Sequence, residues 1–167
     1  IPRATYRLQL HGEFTFRDAT ALVPYLAKLG ISHVYCSPYL RARPGSKHGY
    51  DIIDHDTLNP EIGTREDFDA FVAELHRHGL KQLMDVVPNH MGVMGADNAW
   101  WMDVLENGPA SPYADFFDID WHPPNAHLAN RVLLPILGDH YGVELAAGHL
   151  VLGFEEDSGT FAIRYAE

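Results

Sequence analysis

The order of elements in this chain predicts an α/β fold: a partial (β/α)8 TIM-type barrel, comprising its first three β-strands, with an irregular insertion after the third strand. Three observations predict it. Over residues 4–87, strand-like alternation and helical periodicity take turns. The helical runs carry start and stop signals. Polar side chains gather where strands end, at Ser37, Asn89 and His90, the end at which barrels carry their functional groups.

The first strand is read over Ala4–Leu10, where Tyr6, Leu8 and Leu10 alternate with Arg7 and Gln9. Thr15 offers an N-cap to a helix whose apolar positions are Ala19, Leu22, Val23, Leu26 and Leu29, and Gly30 stops it. Pro24 lies inside this run, where a kink is the expectation. Ile31–Cys36 is a short second strand. A loop then extends from Ser37 to about Gly63, punctuated by Pro44, Gly45, Gly49, Asn59 and Pro60, and structureless loops of this length are usually functional. Thr64 and Asp67 form a capping-box pattern before the stripe Phe68, Phe71, Val72 and Leu75, and Gly79 ends that helix. Leu80–Val87 reads as a mostly buried third strand, closed by Pro88-Asn89-His90.

Strand, helix, strand, helix, strand implies parallel pairing with right-handed crossovers. An open doubly wound sheet and a barrel both satisfy it. Dinucleotide-binding sheets place a glycine-rich turn after the first strand, and here that turn holds only Gly12, which favours the barrel. Residues 91–167 lose the rhythm. Trp100–Leu105 suggest a short helix, and residues 150–154 and 160–165 alternate around Asp157-Ser158-Gly159 as a hairpin. The division is therefore 1–90, the first part of a barrel domain, and 91–167, an insertion subdomain.

Composition narrows the function. The 167 residues are 46% hydrophobic with a formal net charge of −11, so a folded chain is expected and a nucleic-acid or anionic-membrane partner is disfavoured. A neutral substrate such as a sugar is compatible with it. The single cysteine, Cys36, allows no intrachain disulfide and sits in an apolar strand with no basic neighbour in sequence, which reads as inert. The eleven histidines show no ligand spacing: His76 and His78 are two apart on a helix and face different ways, so no metal site and no cofactor are expected. No apolar run approaches the ~20 residues of a membrane span. The opening Ile1-Pro2-Arg3-Ala4 lacks a signal-peptide pattern, and a cytoplasmic location is the expectation.

Two segments carry candidate chemistry. Asp85-Val86-Val87-Pro88-Asn89-His90 places three polar side chains at one strand end, costly unless they bond to something. A structural aspartate and a turn-capping asparagine would satisfy the same pattern. His48-Gly49-Tyr50-Asp51 places a glycine, permissive of close approach, before an aromatic with a polar tip, suited to a sugar ring or to packing on a barrel rim.

Asp85–His90 resembles the first conserved region of the α-amylase superfamily of glycoside hydrolases, and His48–Asp51 resembles its motif after the second strand. Thr5–Leu10, Ser37-Pro38-Tyr39, Arg43–Ser46, Trp100-Trp101, Gly108–Tyr113, Phe116–Trp121 and Leu133-Leu134-Pro135 are similar to the maltooligosyl trehalose synthase family within it. The resemblance covers essentially the whole chain. It implies that Tyr50 stacks on the attacked glucose and that His90 donates a hydrogen bond to that sugar's 6-hydroxyl. It implies supporting roles for Asp85, paired with an arginine near the nucleophile, and for Asp51. Asn89 matches a calcium ligand of many amylases, but the rest of that site falls in the insertion, where the chain departs from them, so no metal is carried over.

The implied chemistry is retaining, with one carboxylate as nucleophile and another as acid/base. The family takes these from later strands, and Arg65-Glu66-Asp67, His55-Asp56 and Glu155-Glu156 match none of those contexts. No catalytic residue is therefore expected in this chain. The resemblance implies isomerisation of a reducing-end α-1,4 link to an α,α-1,1 link in a maltooligosaccharide. The alternatives are an amylase-type hydrolase and a non-catalytic sugar-binding fragment. Partners are expected to be the maltooligosaccharide, the remainder of the polypeptide and, for the isolated chain, further copies of itself.

Overall fold

In the computed structural model, which describes residues 1–165, the chain opens with β1 (Thr5–Leu8), α1 (Phe16–Leu29) and β2 (His33–Cys36). Next come β3 (Leu40–Ala42), β4 (Ile52–Leu58), α2 (Arg65–Arg77) and β5 (Lys81–Met84). The parallel sheet has the order β1-β2-β5, with Arg7 opposite Tyr35 and Tyr35 opposite Leu83.

Both helices begin as the sequence predicts. The Thr15 amide donates to the Asp18 carboxylate at 2.8 Å, and the Thr64 amide donates to Asp67 at 3.0 Å, which satisfies amides left free at the start of a helix. Gly30 ends α1 at φ 84°, in the left-handed region that glycine enters without penalty. Helix α1 runs through Pro24 without ending. One face of the sheet packs on the two helices, burying Leu8, Val34 and Cys36 against Val23, Leu26, Phe71 and Leu75. Phe16 is the hub: its ring meets Tyr39 at 5.6 Å, Phe68 at 5.4 Å and Phe71 at 6.2 Å. A 2.7 Å ion pair from Arg17 to Asp67 ties α1 to α2.

The structure corrects the sequence reading in three places. The strands are shorter than predicted, by up to three residues at an end, so Asp85 lies just past β5 rather than within it. The segment read as a structureless loop contains the antiparallel pair β3–β4. Its pattern is hidden because Asp54, His55 and Asp56 interrupt the apolar residues and because the pairing is irregular, while Ala42, Ile52 and Ile53 still bury their side chains. Finally, β5 is not buried: Leu83 and Met84 are 36% and 37% exposed, because β5 is a sheet edge with no strand beyond it among the described residues. A continuous apolar run signals a strand made to be covered on both faces, not one that is covered here.

Two compact units divide between Phe117 and Asp118. This is a boundary of packing; the sequence division at residue 90 concerns where the β-α order stops. The first unit ends with α3 (Ala99–Asn107) and two short 3-10 turns. Asn98 caps α3 by accepting from the Trp101 amide at 3.1 Å, and its own amide group donates to the Gly92 carbonyl at 3.0 Å. The second unit holds α4 (Tyr141–Ala146) and the antiparallel hairpin β6 (Leu150–Glu155) and β7 (Thr160–Tyr165). The hairpin lies where the alternation predicts, closed by Gly159 at φ 69°. The last two residues of the sequence-assigned insertion lie outside the described residues. No helix among the described residues is long and apolar enough to cross a membrane.

Candidate functional site

Strand alternation decides which side chains reach the sheet face opposite the helices. Leu8 points into the helical core, so Arg7 points the other way, and the same alternation places Tyr35 beside it on β2. The Arg7 guanidinium lies over the Tyr35 ring, 4.7 Å from its centroid. At the C-terminal end of the sheet it reaches Asp85.

Four residues meet there. Arg7 Nη1 donates to Asp85 Oδ2 at 3.0 Å, and Arg7 Nη2 donates to the Tyr50 hydroxyl at 3.0 Å. The Tyr50 hydroxyl in turn donates to Asp85 Oδ2 at 2.5 Å. His90 Nε2 lies 3.0 Å from the Tyr50 backbone oxygen, which as a carbonyl can only accept, so this ring nitrogen carries the proton. The sequence-predicted pair Tyr50 and His90 is thus brought together, with Asp85 bonded to the first.

The electrostatics follow from the geometry. The Tyr50 hydroxyl, and after it Arg7, hold the Asp85 carboxyl below its ordinary value, so it is ionised near neutral pH. Asp85 in turn raises the Tyr50 phenol above the usual tyrosine value, and the phenol keeps its proton. Burying this carboxylate, whose side chain is 14% exposed, is tolerable because it accepts two bonds and faces a cation.

The loop that presents Tyr50 is built from Ser37 onwards. Gly49 has φ 78° and passes so close to Pro38 that a Cβ would sit 2.5 Å from its carbonyl oxygen. Asp51 accepts from the Ser46 hydroxyl at 2.5 Å and lies 3.8 Å from His48, so it braces the loop rather than joining the Arg7 network. Gln9 donates to the backbone oxygens of Lys47 at 3.0 Å and His48 at 3.3 Å. Asn89 is exposed and stands apart from this network.

Sequence reasoning assigned no role to Arg7 or Gln9. Their signal was parity: Arg7 on β1 and Gln9 just beyond it are exposed, while Leu8 and Leu10, with which they alternate, are buried. Cys36 is buried, and desolvation pushes its thiol up to about 11, which suits an inert side chain. Among the described residues no group of three or more histidine, cysteine or acidic side chains is placed to hold a metal ion. A cleft of 320 Å³ is lined by residues that include Arg41, Asn59, Glu61 and Asp97, and not by Tyr50 or His90.

Comparison with known proteins places this geometry. A Mycobacterium tuberculosis protein assigned as a maltooligosyl trehalose synthase is 45% identical over 141 residues, 81% of this chain and 18% of that protein. The solved maltooligosyltrehalose synthase from Arthrobacter ramosus is 41% identical, with a TM-score of 0.84 over 99% of this chain and 20% of its own. A further maltooligosyl trehalose synthase crystal structure is 37% identical, with a TM-score of 0.89 over 100% of this chain and 22% of its own. The chain therefore spans about a fifth of the length of these relatives. The model of the α-amylase catalytic domain matches residues 16–143, which take in Tyr50, Asp51, Asp85, Asn89 and His90, and the chain belongs to that family.

Proposed function

We propose that this chain supplies the first three strands of a (β/α)8 barrel, with residues 91–167 inserted after the third. The enzyme it belongs to would convert the reducing-end α-1,4 link of a maltooligosaccharide into an α,α-1,1 link. The observation that carries the reading is the Arg7–Tyr50–Asp85–His90 cluster at the C-terminal end of a parallel sheet, in a chain similar over nearly its whole length to maltooligosyl trehalose synthases. In barrel enzymes that end of the sheet is where substrate is held.

In this reading Tyr50 stacks on the glucose whose anomeric carbon is attacked. Its ring is amphipathic, and its hydroxyl is already satisfied by Asp85 and Arg7, so the ring meets the sugar without leaving a polar group unpaired. His90 supplies a hydrogen bond to the same sugar. Because Nε2 is held by the Tyr50 carbonyl, donation to a hydroxyl requires a second proton on Nδ1 or a turn of the ring. Asp85 holds the Tyr50 hydroxyl and Asp51 braces its loop, while Asn89 is a structural residue of the segment that carries His90. The nucleophile and the acid/base come from parts of the parent protein that this chain does not span. The nucleophile displaces the terminal glucose to give a glycosyl-enzyme, while the acid/base protonates the departing oxygen. The freed glucose then attacks through its 1-hydroxyl, which returns its proton to the same acid/base group and releases the nucleophile.

The test uses the full-length enzyme with maltopentaose. The non-reducing product with an α,α-1,1 end is expected, and Tyr50→Ala and His90→Ala are each expected to lower kcat/KM, the latter by roughly tenfold to a hundredfold. Free glucose as the main product would support a hydrolase instead. Unchanged efficiency in both variants would refute the site. The 167-residue chain alone is expected to form neither product, since binding groups without transition-state groups do not accelerate chemistry.

A further inference from the structure

We infer that Arg7 is a positioning residue of the candidate sugar site, fixing the plane and height of the Tyr50 ring from β1, with Gln9 holding the backbone that leads into it. The inference rests on the sugar-binding reading of Tyr50 given above.

Three observations carry it. First, the guanidinium bonds in two directions at once: Nη1 to Asp85 and Nη2 to the Tyr50 hydroxyl, each at 3.0 Å. A planar fork fixes the angle between its two acceptors, which an ammonium group cannot do. Second, Asp85 Oδ2 accepts from both Arg7 and Tyr50, so the three groups close a triangle and none can swing without breaking two bonds. Tyr50 belongs to a loop, and Arg7 to a strand paired along its length with β2, so the strand residue sets the position of the loop residue. Third, Gln9, two residues on and just past the end of β1, donates to the carbonyls of Lys47 and His48 just before Tyr50. The His48 ring flanks Tyr50, its plane 18° away and its centroid at 5.9 Å. Held at its tip by Arg7 and Asp85, at its base by Gly49 and along its side by His48, the Tyr50 ring is placed before any ligand arrives. A stacking platform set in advance costs a sugar no ordering on binding.

A bland role for Arg7, neutralising the Asp85 charge, predicts different behaviour and is separable. In the full-length enzyme, Arg7→Met is expected to raise KM for maltopentaose about tenfold or more, with kcat moving less. Arg7→Lys, which keeps the charge near Asp85 but loses the fork, should recover only part of that loss. In a Tyr50→Phe background, Arg7→Met should raise KM by a smaller factor, because the Nη2 bond to the hydroxyl is already gone and only the Nη1 bond to Asp85 is left to lose. Equal effects of Arg7→Met in both backgrounds, or full recovery by Arg7→Lys, would overturn the inference. A second readout needs no substrate. With tyrosine labelled at the ζ-carbon, the resonance missing in Tyr50→Phe belongs to Tyr50, and Arg7→Met should raise the pH at which it titrates, since a cation that eases phenol ionisation has been removed. An unmoved titration overturns the link between the two residues. If the wild-type enzyme leaves maltopentaose unchanged, the substrate reading falls, and this resonance still decides whether Arg7 positions Tyr50.

Discussion

Replacing Gly49 with alanine tests how the Tyr50 loop is held, and Gly30 supplies the internal control. Both glycines have positive φ, 78° and 84°, so an alanine at either site pays for the left-handed backbone, roughly 1–2 kcal/mol. Their surroundings differ. A Cβ on Gly30 meets nothing within 4 Å, whereas one on Gly49 would lie 2.5 Å from the Pro38 carbonyl oxygen and 3.3 Å from its carbon. Backbone at 2.5 Å must move, and forced overpacking typically adds about 1–3 kcal/mol. Gly49→Ala should therefore cost roughly 2–5 kcal/mol in total, against roughly 1–2 for Gly30→Ala. Urea unfolding of both variants at low protein concentration, followed by circular dichroism, reads the difference as the gap between their midpoints. In the full-length enzyme Gly49→Ala should also raise KM, because relief of the clash carries Tyr50 away from Arg7 and Asp85. Equal midpoint shifts for the two variants would refute the close-approach argument and leave only the backbone term.

Three further outcomes are expected. Phe16→Ala removes a fully buried ring that touches Tyr39, Phe68 and Phe71, and should lower stability by about 3–5 kcal/mol in the same unfolding assay; a loss under ~1 kcal/mol would mean the site collapses freely. Asp18, Asp67 and Asp85 are all held below their ordinary values, Asp18 and Asp85 first by Thr15 and Tyr50 and Asp67 first by Arg17. Their contribution is present above the unfolded value of about 4 and is lost as pH falls through the folded values, so the urea midpoint should be flat near neutrality and fall below about pH 4. Asp67→Asn should lower the midpoint at pH 7 and make that acid slope shallower; an unchanged slope counts against the cause. Both β1 and β5 have a single strand neighbour among the described residues, and Tyr6, Leu83, Met84 and Val86 are exposed, so the isolated chain should self-associate, which sedimentation over a concentration series would show and a monomer at every concentration would contradict.

The sequence by itself determined the elements whose signals are local. Thr15 as an N-cap and Thr64 with Asp67 as a capping box start the helices because such signals lie within a few residues, and Gly30 ends α1 because left-handed backbone is a property of one residue. The hairpin around Gly159 was legible for the same reason. It also pointed to Tyr50, His90 and Asp85, through two short segments. What it did not reveal was the pair β3–β4, whose irregular register and charged residues mask its periodicity, or the exposure of β5, which depends on what lies beside it. Nor did it single out Arg7 and Gln9. They are two polar residues of an alternating segment that begins as β1, and nothing local distinguishes a solvated arginine from one that bonds residues 43 and 78 positions away. Only the parallel register of β1, β2 and β5 brings those distant segments to one sheet end. The tertiary structure therefore decided the hydrogen-bonded network, because a fork of fixed geometry acquires partners only when the fold places two acceptors within 3.0 Å of it.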